Sequence, residues 1–143
     1  EWLKMRVEIE NKYLEHAINL LQDIDLTQKR SRHRTKFVKL LRQGLEEYIE
    51  DFRELLKEHC HLDEDGNPKT ITKNGQQYWD TKDSSAFDKD KKELDKELYV
   101  IDGGNNEKVI TTVKKVLEQS NKEYKGLEAD IYDYLCDQFG VDD

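Results

Sequence analysis

Hydrophobic and polar positions repeat along the chain with two periods, one typical of strands and one of helices. Residues 5–9 alternate apolar and polar, which predicts a short half-buried strand. A second apolar run at 98–101 is expected to pair with it. Between them, apolar residues at 14–21 recur every three or four positions, which predicts a helix capped by Asn11.

The strongest periodic signal follows a polar connection at residues 23–31 and predicts one long helix from about Arg34 to His59. Such a helix would be on the order of 40 Å long, at 1.5 Å per residue. Its apolar stripe must be covered by other helices or by a second copy of the protein. The stripe consists of Phe37, Leu40, Leu41, Leu45, Tyr48, Phe52, Leu55 and Leu56.

Turn-forming residues interrupt the helical pattern between residues 62 and 82. The acidic turn at 63–68 contains the single proline of the chain, and Asn74-Gly75 is typical of a two-residue hairpin turn. With that turn, Ile71 should face Tyr78 across the ladder. An isolated hairpin is marginally stable in water, so we expect a mobile excursion unless it packs on the helices.

The rest of the chain is predicted to be helical apart from the strand at 98–101. A short helix should start at about Asp83, and a last long segment should be capped by Asn105 or Asn106 and divided by Gly126. The predicted fold is α+β and predominantly helical, with long amphipathic helices packed as a bundle, a small two-strand sheet and a protruding β-hairpin. The length of 143 residues predicts a single domain over 1–143, with 62–82 as its excursion.

The excess of acidic residues disfavours some classes of function. Asp and Glu outnumber Lys and Arg by 32 to 24, and the net charge of −8 opposes non-specific attraction to nucleic acid. We find no leader sequence and no apolar run that could span a membrane. The two cysteines, Cys60 and Cys136, form no disulfide pattern and favour a reducing cytosol.

Met5 is the only methionine of the chain. We therefore interpret residues 1–4 as a cloning remnant, and the alternative is that the sequence is a fragment of a longer chain.

Candidate chemistry is weak throughout the chain. His59, Cys60, His61 and Cys136 are zinc-ligand types, but adjacent residues of a helix point about 100° apart and cannot converge on one ion. The acidic turn lacks carboxylates at the first and last positions of a calcium loop. No nucleophile, phosphate-loop or dinucleotide motif occurs. We therefore expect no catalytic residues, no metal and no cofactor, while an enzyme of unrecognised type remains an alternative.

Four stretches of the chain resemble a known family. They read VEIENKYLEHAINLL, SRHRTKFVKLLRQGLEEY, DEDGNPK and FDKDKKELDKELYVI. In order and spacing they are similar to the phage and prophage family called domain of unknown function sixteen-seventeen, from residue 5 to about residue 116. The resemblance implies a phage of Gram-positive bacteria and supplies no catalytic residues.

One segment stands out from the acidic chain by its positive charge. These cations lie near the start of the long helix, where the helix dipole favours acidic residues. The functional interpretation is a site for phosphate or for an acidic protein surface. The alternative is pairing with the acidic regions 46–54 or 63–65 of the same or a neighbouring chain. The candidate binding residues are Lys29, Arg30, Arg32, His33, Arg34 and Lys36.

These observations favour a bacteriophage accessory protein that acts by protein–protein binding in the host cytoplasm. Virion assembly and anti-defence binding of a host target are both compatible with it, and the second would use acidic mimicry of nucleic acid. Nucleic-acid binding through residues 29–36 is the alternative from another class.

The length of the apolar stripe also raises the question of self-association. A symmetric homodimer would set two stripes against each other in antiparallel fashion, with the basic end of one helix beside the acidic end of the other. Leu41, Tyr48, Phe52 and Leu55 are the residues predicted to be uncovered in the single chain. The alternative is a monomer whose C-terminal helices cover the same stripe.

Overall fold

The computed structural model describes residues 5–142, and residues 1–4, the interpreted cloning remnant, lie outside that range. The fold is α+β and predominantly helical, as predicted. Its elements divide into two compact units, residues 5–45 with 98–142 (unit 1) and Glu46–Glu97 (unit 2).

The small sheet of unit 1 consists of the two predicted strands. β1 (Arg6–Glu10) pairs in antiparallel fashion with β4 (Leu98–Asp102), with Val7 opposite Ile101 and Ile9 opposite Tyr99. The side chains of Val7, Ile9 and Ile101 are buried. Because side chains alternate across a strand, this register places one apolar face of the sheet in the core.

Helices α1 (Leu14–Gln22), α4 (Glu107–Glu118) and α5 (Leu127–Phe139) complete unit 1. α5 contacts α1, α4 and β1, and its Phe139 ring lies 5.2 Å from the Phe37 ring. Gly126 precedes α5 with φ of 59°, which confirms the predicted division of the C-terminal segment. The expected Asn11 cap is wrong, because Asn11 opens a 3-10 turn that precedes α1.

α2 is the longest helix and runs from Gln28 to His59, contributing residues to both units. The predicted start at Arg34 is therefore wrong by more than one turn, and the polar connection ends before residue 28. Basic residues are tolerated in the first turns of α2 because several of them form hydrogen bonds with backbone or side-chain groups of unit 1.

Unit 2 contains the hairpin of β2 (Thr70–Lys73) and β3 (Gln76–Trp79), followed by α3 (Ser84–Lys96). Ile71 pairs with Tyr78, and Asn74 and Gly75 have φ of 51° and 79°, as the turn sequence predicts. The hairpin base is fixed to the end of α2: His61 N–H donates to the Asp80 carbonyl at 2.9 Å and Lys69 N–H to the His61 carbonyl at 2.8 Å. The hairpin is thus hydrogen-bonded to its own unit.

Candidate functional site

The predicted basic segment lies on the first turns of α2, and the helix separates its side chains into two groups. Residues 28–45 contain Lys, Arg and His but no acidic residue. Side chains three, four or seven positions apart share one face of a helix, whereas neighbours in sequence point about 100° apart. One group faces the rest of unit 1 and the other faces solvent.

Arg34 belongs to the inward group and binds the end of α1. Its Nη1 donates to the carbonyls of Leu21 and Ile24, each at 2.7 Å. These carbonyls lie at and just beyond the C-terminus of α1, where the helix leaves backbone acceptors unpaired and carries partial negative charge. Arg34 therefore has a structural role as a cationic cap.

Arg30 and His33 face α4 and the residue that follows it. Arg30 Nη2 donates to Oε1 of Gln119 at 2.6 Å, and His33 Nδ1 is hydrogen-bonded to the Thr112 hydroxyl at 2.6 Å. Burial lowers the pKa of His33 below its ordinary value of 6.5, and nearby cations, Lys29 first among them, lower it further. His33 is consequently neutral at pH 7.

Lys29, Arg32 and Lys36 form the outward group and are exposed. Lys39, which sequence reasoning missed, is exposed three residues after Lys36 on the same side of the helix. None of these four forms an ion pair with any residue between 5 and 142. We call these four residues the basic face; it extends about 15 Å along the helix.

Arg42 continues the positive charge beyond the basic face. With Arg34 and Lys39 it lines a cavity of about 380 Å³. This surface can attract an anionic group, because its cations form no ion pair within residues 5–142. Lys39 and Arg42 could have been predicted from the sequence, because they follow Lys36 at intervals of three residues.

The other candidate residues lie in unit 2, except Cys136, which lies on α5 in unit 1. Asp63 accepts backbone N–H groups of Asp65 and Asn67 at 2.9 Å each, so it closes the acidic turn. Burial raises the pKa of the Cys60 thiol, which disfavours the thiolate needed for nucleophilic attack. Within residues 5–142 there is no cluster of three His, Cys, Asp or Glu side chains suited to a metal ion.

The apolar residues proposed for a dimer seam are mostly covered within the chain. The prediction that Leu41 is uncovered is wrong, since its exposed fraction is 0%. Phe52 and Leu55 are half-buried and pack on a unit 2 cluster that contains Phe87. Tyr48 donates a hydrogen bond to Asp95 of α3. An apolar seam along α2 therefore has little free surface to use.

The described helices include none with the length and apolar character needed to cross a bilayer. Comparison with protein-family models, with curated proteins and with solved structures found no match to this chain. The resemblance to the phage family thus stays a prediction.

Proposed function

We propose that this protein is a bacteriophage accessory protein that binds an acidic surface of another protein through the basic face of α2. The observation that carries the proposal is the exposure of Lys29, Arg32, Lys36 and Lys39 on one side of a helix, without ion-pair partners in residues 5–142. The phage context comes from the family resemblance alone, and the host cytoplasm comes from that resemblance together with the absence of a disulfide pattern in the sequence.

The placement of these cations supports a binding role because it stabilises nothing locally. Lys29 and Arg32 lie in the first turns of α2, where the partial positive charge of the helix end repels cations. Like charges three or four residues apart on a helix are also destabilising, by about 0.2–0.5 kcal/mol per pair. An acidic partner would relieve both costs and would gain a steered association rate.

Nucleic-acid binding is the second candidate, since phosphates also bind Lys and Arg. Two features disfavour it. The only aromatic residue among residues 28–42 is Phe37, which is fully buried, so the basic face has no exposed ring for stacking bases. The net charge of −8 would also repel a polyanion at longer range.

A pull-down with a charge-reversed bait tests the proposal. The wild type is compared with Lys29→Glu/Arg32→Glu/Lys36→Glu in lysates of Gram-positive cells, with and without phage infection. The matched control Lys73→Glu/Lys115→Glu/Lys125→Glu alters the net charge equally at exposed positions outside the basic face. We expect wild type and control to retain an acidic protein that the first variant loses by at least about tenfold, which corresponds to 1.4 kcal/mol.

Gel-shift titration separates the two candidates. We expect no complex with a DNA duplex or a single-stranded oligonucleotide at about 50 mM salt. Micromolar binding that weakens steeply with salt and disappears in the charge-reversed variant would favour nucleic acid instead. An empty pull-down from both lysates would contradict the protein-binding proposal.

A further inference from the structure

Unit 2 contains an acidic groove built from two similar octapeptides, which are identical at five of eight positions. DFRELLKE at 51–58 lies on α2 and DKKELDKE at 90–97 on α3 and its cap. Each places Asp, Glu, Leu and Glu at positions one, four, five and eight, which is the spacing of a single helix face. These residues line one cavity of about 370 Å³, with Leu55 and Leu94 among them.

The carboxylates of this acidic groove are largely uncompensated. They are Asp51, Glu54, Glu58, Asp90, Glu93 and Glu97. Asp90 contacts His59 Nε2 at 2.6 Å, and Glu54 lies 4.0 Å from Lys57 in a solvent-exposed pair that contributes little. The other four form no ion pair within residues 5–142. Carboxylates that lie close together repel one another and destabilise the folded protein. The acidic groove therefore favours a cationic occupant.

The chain itself carries a surface complementary to this groove. The basic face spans Lys29 to Lys39 and extends about 15 Å, while the groove segment of α2 extends about 10 Å. Four exposed cations would face six carboxylates, and the aliphatic stems of Lys and Arg could cover the half-buried Leu55. The same charges explain why residues 28–45 lack any acid.

We propose that the acidic groove of one copy binds the basic face of a second copy, so that the protein self-associates by charge pairing. This inference rests on the part of the proposed function that assigns binding of acidic groups to the basic face, and it names a second copy of the chain as the occupant. It differs from the apolar dimer seam that the sequence left open as one of two alternatives, in which Leu41 was predicted to be uncovered but is buried. Each copy presents both surfaces, which is the requirement for a self-complementary contact.

A charge-swap experiment tests this pairing. Sedimentation equilibrium is run from about 5 to 200 μM on the full chain, with Arg32→Glu/Lys36→Glu as the face variant and Glu58→Lys/Glu93→Lys as the groove variant. In about 50 mM salt we expect the wild type to exceed its monomer mass of 17.0 kDa and each variant alone to remain monomeric. Mixing the two variants should restore the larger species, because the reversed face matches the reversed groove.

A charge-matched control variant and a change of salt concentration test whether association depends on the two charged surfaces. Lys73→Glu/Lys125→Glu, at exposed sites outside both surfaces, should associate like the wild type, and circular dichroism confirms that every variant is folded. Raising salt to about 500 mM should weaken wild-type association at least about tenfold. A monomeric wild type at 200 μM in low salt, or a mixture that stays monomeric, would overturn the inference.

The outcomes also separate this inference from the proposed function. A monomeric wild type whose basic face still captures an acidic protein would refute self-pairing alone. A monomeric wild type whose groove binds a decalysine peptide would likewise overturn the second copy as its occupant. Self-association with an empty pull-down would refute binding of another protein and leave the paired surfaces intact.

Discussion

Arg34 shows how a cation in a basic segment can serve the fold. Its guanidinium bridges the carbonyls of Leu21 and Ile24 at the end of α1, whereas Arg32, two residues earlier, is exposed and forms no ion pair in the described chain. Sequence alone places both residues in one charged cluster. Their roles differ because positions two residues apart on a helix point about 200° apart, to nearly opposite sides.

The two arginines provide a matched pair for a stability measurement. Arg34→Met keeps an apolar stem but removes two charge-assisted hydrogen bonds, and we expect the free energy of unfolding to fall by about 1.5–3 kcal/mol. Arg32→Met should change it by less than about 0.5 kcal/mol, as for other surface positions. Urea denaturation monitored by circular dichroism measures both. Equal effects would contradict the capping role of Arg34.

His33 should make stability depend on pH. Its folded-state pKa lies below 6.5 because of burial and nearby cations, so the unfolded chain takes up a proton more readily. The stability that neutral His33 contributes is present above pH 6.5. It is lost as the pH falls from 6.5 through the lowered pKa of His33 in the folded state. His33→Gln should therefore lose less stability than the wild type between about pH 7 and 5.

The exposed His16 serves as the control for that comparison. Chemical denaturation at a series of pH values gives the free energy of unfolding for wild type, His33→Gln and His16→Gln. A His33 variant with the wild-type slope would mean that this side chain does not contribute.

At the scale of elements, α2 passes β4 closely at Gly44. A Cβ added there would lie 2.7 Å from Cγ and Cδ2 of Tyr99 and 2.8 Å from Cδ1. Glycine inside a helix normally costs about 1 kcal/mol relative to alanine, so its presence requires a packing reason. The reason is the aromatic ring of β4 lying against the helix backbone.

Because Tyr99 lies so close, we expect Gly44→Ala to destabilise the protein, whereas glycine-to-alanine substitutions inside helices usually stabilise. The propensity gain of about 1 kcal/mol should be outweighed by an overpacking cost of about 1–3 kcal/mol. In a Tyr99→Leu background the same substitution should become neutral or stabilising. Thermal and urea unfolding of the two single variants and the double variant measure the coupling, and stabilisation by Gly44→Ala alone would contradict it.

Elements with strong local signals and the pairing of the two apolar strands could be predicted from sequence, whereas side-chain contacts between remote residues could not. The hairpin follows from Asn74-Gly75, and the pairing of β1 with β4 follows from their apolar runs. The early start of α2 was missed because its cations oppose the helix dipole, and the contacts of Arg30 and His33 that offset this come from remote residues. The similar octapeptides at 51–58 and 90–97 are visible in sequence, but their approach across a groove is not.

At the scale of the whole chain, the buried apolar residues are divided unequally between the two units. Among described residues, unit 2 contributes only Leu56, Cys60, Phe87 and Leu94 to the buried apolar set. All other buried apolar side chains belong to unit 1. Because burial is the main favourable term in folding, unit 2 should open at a lower free energy than unit 1.

Native-state hydrogen exchange can measure these two opening energies separately. Amides of β3 (Gln76–Trp79) should exchange through a smaller opening than amides of β1 (Arg6–Glu10), because fewer buried contacts hold their unit. Phe87→Ala should lower the opening energy of β3 by about 3 kcal/mol and leave β1 unchanged, since it removes most of a small cluster. Val113→Ala, a fully buried position in unit 1, should lower protection of β1 and spare the opening of β3. If both substitutions shift both strands equally, the chain opens as one cooperative body and the unequal core does not determine local stability.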